Sequence, residues 1–315
     1  MKPSSPHLSK AQPLTLAFSG GGAKCAAQAG VLSVLEEARL PVGAIVGLSA
    51  GGLVAVLYGL GYAPAAIRDY IANTSLLEVW EFDATQRAIF GPEKIRARLR
   101  TVVGDKTFAD LRLPVTVLAV DMNSEREVRL NSGRLEDAVM ATMALPTFFP
   151  PVTLGAMRLV DGGVFNPLPV DVAREMGQRV VAVDVVHDHS STEPTQIFEA
   201  RGPMRYATAV GRRLRLTEIV ESAYQMGVVI TNHMIEHNLR DNPADVLIRP
   251  AVGKVGLFAF DLAGTAYEMG RAAAQAALPQ LEALVYPKTT SRLAAAWKRA
   301  AAVIRRQRAR QATGR

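Results

Sequence analysis

Short, almost wholly apolar runs alternate along the chain with longer stretches whose apolar residues recur every three or four positions. PLTLAF (13–18) is the first such run and stops at Ser19-Gly20-Gly21-Gly22. AKCAAQAGVLSVLEEARL follows with Ala26, Gly30, Val34 and Leu35 at helical spacing. VGAIVGL (42–48) is a second run, SAGGLVAVLYGL after it is helix-like, and Pro64 stands where a further helix would begin. PVTVLAVDM (114–122), EREVRL with a turn at Asn131–Gly133, RVVAVDVV (179–186) and DVLIRP (245–250) read as further strands. Helical patterns lie between most of them, including a long one at about 216–240, whereas the polar stretch 190–215 reads as a loop or flexible insert. Apolar strands alternating with helices predict an α/β fold, with a mainly parallel central sheet covered by helices on both faces. No internal repeat is visible.

Composition sets the boundaries. The chain has 315 residues, 49% of them apolar and 21% charged, which suits one large domain with an appended tail. Cys25 is the single cysteine, so an intrachain disulfide framework is excluded and a reducing compartment fits. The first residues, MKPSSPHLSKAQP, carry no apolar signal core, and Gly and Pro interrupt the longest apolar runs. These features predict a soluble, cytoplasmic protein with a flexible N-terminus (1–12), a catalytic-sized body (13–287) and a tail (288–315). The tail holds nine of the 36 basic residues and no acid, leaving 27 basic against 29 acidic residues in the rest. As a helix over 290–311 it would align Leu293, Trp297, Ala300 and Ile304 on one stripe with basic flanks. That pattern suits peripheral contact with an anionic inner-membrane surface, or a solvated helix packed on the body. Nucleic acid is not an expected partner, because no recognised binding module is present. The pattern leaves the oligomeric state open.

Three short motifs carry chemistry. Gly47-Leu48-Ser49-Ala50-Gly51 lies between a strand and a helix, the setting of a nucleophile elbow, in which small residues let strand and helix approach around a strained serine. A serine hydroxyl is a poor nucleophile until a neighbouring base takes its proton. Gly20-Gly21-Gly22-Ala23-Lys24 also follows a strand and opens a helix, exposing backbone N–H groups suited to a phosphate or to an oxyanion. A dinucleotide fingerprint fits it poorly, since Cys25 stands at the third glycine position and no acid ends the second strand. It is not a P-loop either, because no Gly-Lys-Ser/Thr follows. Asp161-Gly162-Gly163 ends the run AMRLV (156–160), where it is either a common turn or a carboxylate presented with little steric cover.

The order GGGxK, GxSxG, DGG resembles that of the patatin-like phospholipase family, in its bacterial branch. The resemblance covers about residues 12–187 and includes AVMATMALPTFFPPV and NPLPVDVAREMG. It implies a three-layer α/β serine lipid acyl hydrolase with a Ser–Asp dyad, in which Ser49 is the nucleophile and Asp161 its base. Amides of Gly20, Gly21 and Gly22 would form the oxyanion hole. Gly47, Gly51, Gly162 and Gly163 would keep the site uncrowded, and Lys24 would add positive potential or meet a headgroup phosphate, unless it is an ordinary surface lysine. The substrate would be a lipid ester, with no metal and no cofactor. The family's glycine motif usually ends in Gly where Cys25 stands. A positive φ there would cost a non-glycine residue about 1 kcal/mol; a thiol so near a helix N-terminus is a candidate for a lowered pKa and for oxidation, and otherwise a small buried apolar residue.

Rivals stay open at this stage. His187 and His189 follow a strand and could serve as base in a triad. His233-Met234-Ile235-Glu236-His237 matches a zinc spacing without a third ligand, and is otherwise the polar face of a helix. Trp80, Phe82 and Phe90 raise the question of a lid. An acyltransferase using the same acyl-serine, or a non-catalytic regulator with this fold, would share these motifs.

Overall fold

The computed structural model describes residues 11–75, 91–186 and 216–287. The N-terminus apart from positions 11 and 12, Trp80, Phe82, Phe90, His187, His189, the insert expected at 190–215 and the basic tail lie outside these residues.

Eight strands form one sheet: β1 (Leu14–Phe18), β2 (Val42–Leu48), β3 (Val115–Asp121), β4 (Arg126–Leu130), β5 (Val152–Leu154), β6 (Met157–Asp161), β7 (Val180–Val183) and β8 (Val246–Ile248). They run in the order β5-β6-β3-β2-β1-β7-β8, with β4 also pairing with β3. The pairs β3–β2, β2–β1, β1–β7 and β7–β8 are parallel, whereas β4, β6 and β5 join antiparallel. The helices are α1 (Ala26–Glu37), α2 (Ser49–Gly59), α3 (Pro64–Ala72), α4 (Pro92–Val103), α5 (Leu135–Thr142), α6 (Val170–Met176), α7 (Leu216–Asp241) and α8 (Ala263–Val285).

Period-two alternation sorts the strand residues onto two faces. Leu14, Leu16, Phe18, Ile45, Val117 and Val183 face one core together with the small residues and leucines of α1, α2 and α8. Ala17, Val46, Leu48, Leu118, Val180 and Ala182 face the other, closed by Val170, Val172 and Ala173 of α6 and Ile235 of α7. The result is a helix–sheet–helix sandwich, as the strand pattern predicts. EREVRL forms an antiparallel edge and AMRLV becomes β6. The three-residue β5 has no counterpart in the apolar pattern, since none of its residues is fully buried.

Ion pairing ties α4 to α5. Glu136, 1% exposed, meets Arg96, Arg100 and Arg134. Arg100 first, and Arg96 after it, hold its carboxyl down at about 2. Among the described residues no helix is long and apolar enough to cross a membrane.

Candidate active site

The site lies at the C-terminal end of the parallel strands, where β1 and β2 each end in a glycine-rich turn into a helix. Leu48 is still extended (φ −140°, ψ 160°), and Ser49 then takes φ 54°, a left-handed conformation that costs an L-residue on the order of 1 kcal/mol. The elbow holds that strain by close packing. A Cβ on Gly47 would sit 2.8 Å from the Gly51 carbonyl oxygen, and one on Gly51 would sit 2.3 Å from that of Ser19. A side chain at Gly47 would push β2 away from α2, and one at Gly51 would push the elbow away from the first glycine turn.

The Ser49 N–H donates to Thr142 Oγ1 (2.7 Å), and Thr142 Oγ1 donates to the Leu118 carbonyl (2.6 Å). A fully buried hydroxyl from α5 thus ties the elbow to β3. Thr142 had no local signal in the sequence, because its partner lies 93 residues away.

Asp161 ends β6 beside Ala119 of β3, with its own N–H on the Ala144 carbonyl (3.1 Å). Its carboxylate accepts the Gly163 N–H (2.8 Å) and is placed to accept the Ser49 hydroxyl. The side chain is 2% exposed. Burial outweighs these two hydrogen bonds and raises the carboxyl to about 6. The group is therefore ionised at neutral pH yet basic enough to take a proton.

The glycine turn faces this pair. A Cβ added to Gly20 would lie 3.0 Å from Ser49 Cβ and 3.6 Å from its Oγ. Gly22 has φ 57° and packs so closely that a Cβ would lie 2.2 Å from the Leu257 carbonyl oxygen. The turn's carbonyls are engaged. Ser19 C=O accepts from Gln28 Nε2, Gly20 C=O from Ser19 Oγ, and Gly21 C=O from the Lys24 N–H. In a trans peptide the N–H points opposite to the C=O. Fixing these three carbonyls therefore fixes the N–H directions of Gly20, Gly21 and Gly22, which donate to no other group among the described residues.

Two expectations around this turn are corrected. Lys24 is 6% exposed and buried within the short 3-10 segment Gly22–Cys25, so it is not a surface lysine and does not line the cleft. Cys25 has φ −64° and ψ −12°, an ordinary right-handed conformation, so the missing glycine imposes no backbone strain. Its thiol is fully buried, and burial followed by the neighbouring Asp161 charge pushes it up, the opposite of the lowered pKa the helix terminus suggested. It is a small apolar packing residue.

Ser49 and Asp161 open into a mainly apolar cleft of about 590 Å³, lined also by Gly20, Gly21, Thr147 and the α7 residues Tyr224, Val228 and Met234. That volume suits a small-molecule or lipid segment. A narrower apolar chamber of about 100 Å³ meets the cleft at Ser49, between Leu53, Leu99 and Phe258. The α7 wall is held to the sheet end by Arg249, which bridges the buried Asp184 and Glu236. His237 pairs with Asp241, so the H-x-x-E-H spacing is taken up by exposed surface contacts and a structural ion pair. Among the described residues no cluster of three His, Cys, Asp or Glu side chains could hold a metal ion. The contribution of α7 was not legible in the sequence, where its lining residues read as an unremarked helix.

The sequence profile described as patatin-like phospholipase matches residues 16–174. An uncharacterized NTE family protein of Mycobacterium tuberculosis is 28% identical over 280 residues, covering 84% of this chain and 46% of that protein. Human patatin-like phospholipase domain-containing protein 6 is 32% identical over 181 residues, covering 55% of this chain and 13% of that protein. The chain thus spans less than half the length of these relatives. Among solved structures, VipD from Legionella pneumophila superimposes with a TM-score of 0.55 at 12% identity, over 88% of this chain and 67% of that one. This is a likeness of fold.

Proposed function

The chain belongs to the patatin-like phospholipase family, and from that premise we propose that it is a lipid acyl hydrolase acting on ester-linked acyl chains of phospholipids or lysophospholipids through a Ser49–Asp161 dyad. One observation carries this reading. A strained serine, a buried carboxylate placed to accept its proton, and the Gly20–Gly21 turn, whose amides donate to no other group among the described residues, line one apolar cleft, with Gly22 in the chamber that adjoins it at Ser49.

In the proposed cycle Asp161 takes the hydroxyl proton as Ser49 Oγ bonds to the ester carbonyl carbon. The carbonyl oxygen becomes an oxyanion, which the amides of the Gly20–Gly22 turn would stabilise. Collapse breaks the bond to the alcohol, which leaves with the proton from Asp161, and the acyl group stays on Ser49. Asp161 then takes a proton from water, the hydroxide adds to the acyl-serine, and the second collapse frees the fatty acid and restores Ser49. A carboxyl near 6 is well placed for this shuttle, being close to the working pH. The residues of the cleft supply nucleophile, base and oxyanion donors without calling on a metal or cofactor. The basic residues of 288–315 would bring the body to an anionic bilayer, so deleting them should weaken binding to phosphatidylglycerol vesicles.

The test is acyl release from a panel of lipid esters by the wild-type chain, Ser49→Ala and Asp161→Asn. The reading expects release by the wild type and its loss in both variants. Release that survives in Ser49→Ala would overturn it.

A further inference from the structure

Gln28 is the least economical residue behind the site. It sits on α1, fully buried, and its Nε2 donates to the Ser19 carbonyl at 2.8 Å. Its Oε1 is buried and has no hydrogen-bond partner among the described residues. Leaving a buried acceptor unpaired costs more than a typical hydrogen bond returns, and an apolar side chain of the same shape would avoid that cost. Turning the amide over would set Oε1 against the Ser19 oxygen, so the observed orientation is fixed by its one partner.

The Ser19 carbonyl is pointed into the crowded junction of α1 and α2, 2.3 Å from where a Cβ on Gly51 would lie. Cys25 Sγ is its only other donor among the described residues, at 3.8 Å, and a thiol donates weakly. The strong bond that holds this peptide plane is therefore the one from Gln28. The same plane carries the Gly20 N–H, directed the opposite way, and it sets the angle at which Gly21 and Gly22 follow.

We infer that Gln28 is a positioning residue for the oxyanion-binding turn: its amide clamps the Ser19–Gly20 peptide so that the glycine amides face the oxygen of the carbonyl attacked by Ser49. The inference rests on the proposed acyl hydrolase reading. Gln28 touches no reacting atom. Without the clamp, the plane loses its one strong hydrogen bond, and the amides lose alignment with charge that develops only in the transition state.

The test compares wild type with Gln28→Met, which keeps the volume and removes the donor, and with Gln28→Glu, whose buried carboxyl stays protonated near neutrality and can still donate. Three quantities are read: kcat, affinity for a trifluoromethyl ketone lipid that forms a tetrahedral oxyanion on Ser49, and affinity for a non-hydrolysable ether lipid. For Gln28→Met, kcat and ketone affinity should fall together, on the order of 10- to 100-fold, with ether-lipid affinity within about threefold of wild type. Gln28→Glu should keep activity near pH 6.5 and acquire a falling limb at higher pH, as ionisation sets its carboxylate against the Ser19 oxygen. Unchanged kcat and ketone affinity in Gln28→Met would overturn the inference, and so would equal losses for ketone and ether lipid. Should Gln28→Met not fold, a wild-type kcat and pH profile in Gln28→Glu would overturn it. A wild type that neither hydrolyses lipid esters nor binds the ketone defeats the hydrolase reading itself, and this inference with it. An active wild type with indifferent Gln28 variants defeats the inference alone.

Discussion

Replacing Asp161 by Asn should abolish activity and at the same time stabilise the fold above pH 6. The carboxyl titrates near 3.8 when free and near 6 in the folded chain, chiefly because burial penalises its charge. A folded-state pKa raised above the unfolded one means that folding favours the protonated acid. The penalty is absent below about pH 4, grows between 4 and 6, and is complete above 6. At 1.36 kcal/mol per unit, a shift of about two units amounts to about 3 kcal/mol at pH 7. Asparagine carries no charge and can still accept the Gly163 N–H through Oδ1, but it gives up the bond with Ser49, worth about 1 kcal/mol. The net expectation is a gain of about 2 kcal/mol at pH 8 and a small loss at pH 4. Urea unfolding of both proteins at half-unit steps from pH 4 to 8 gives the difference curve, in which the other titrating groups largely cancel. A flat difference across pH 4–6, or an Asn variant that is less stable at pH 8, would refute the argument that this charge is held at the expense of stability.

Three further expectations follow from the surroundings of the dyad. Thr142→Val leaves the Ser49 N–H without its partner and removes the hydroxyl bonded to the Leu118 carbonyl, so it should cost about 1–3 kcal/mol in urea unfolding and lower kcat, whereas Thr142→Ser should keep most of both. Glu136→Gln should destabilise by roughly 2 kcal/mol at pH 7, discounted for the half-exposed Arg100 and Arg134. Because the Glu136 carboxyl is depressed, its contribution is present above about pH 4.5 and fades as pH falls towards 2, so wild type and variant should converge in acid. Cys25 should resist iodoacetamide in the native chain and react fully in urea, as mass spectrometry of the intact protein would report; rapid native alkylation would contradict its burial.

The layered fold was legible because buried parallel strands leave uninterrupted apolar runs, and the turns of the site were legible because close approach leaves glycines. Gly47, Gly51 and Gly22 each stand where a Cβ would strike a backbone oxygen, so the spacing around Ser49 is a direct imprint of geometry. Thr142 and Gln28 leave no such imprint. Their roles depend on hydrogen bonds to residues outside their own helices, two for Thr142 and one for Gln28, and a threonine or glutamine in a helix reads as neutral. Lys24 was misread for a related reason. The turn that holds it is bonded to Leu257, over 200 residues downstream, through the Ala23 N–H, a contact no local pattern announces. The α7 wall was missed because Tyr224, Val228 and Met234 acquire a role only where the helix crosses the mouth of the sheet.

The most direct test of the central claim is the rate at which a lipid-like fluorophosphonate modifies the chain, followed by peptide mass spectrometry across pH 4.5–8 in wild type and Asp161→Asn. Pairing of Ser49 with Asp161 predicts a single adduct on Ser49, a rate that rises with an apparent pKa of about 6, and a loss of at least 100-fold in Asp161→Asn. An adduct at another residue, or Ser49 labelling at the wild-type rate in Asp161→Asn, would contradict the pairing of this serine with this carboxylate.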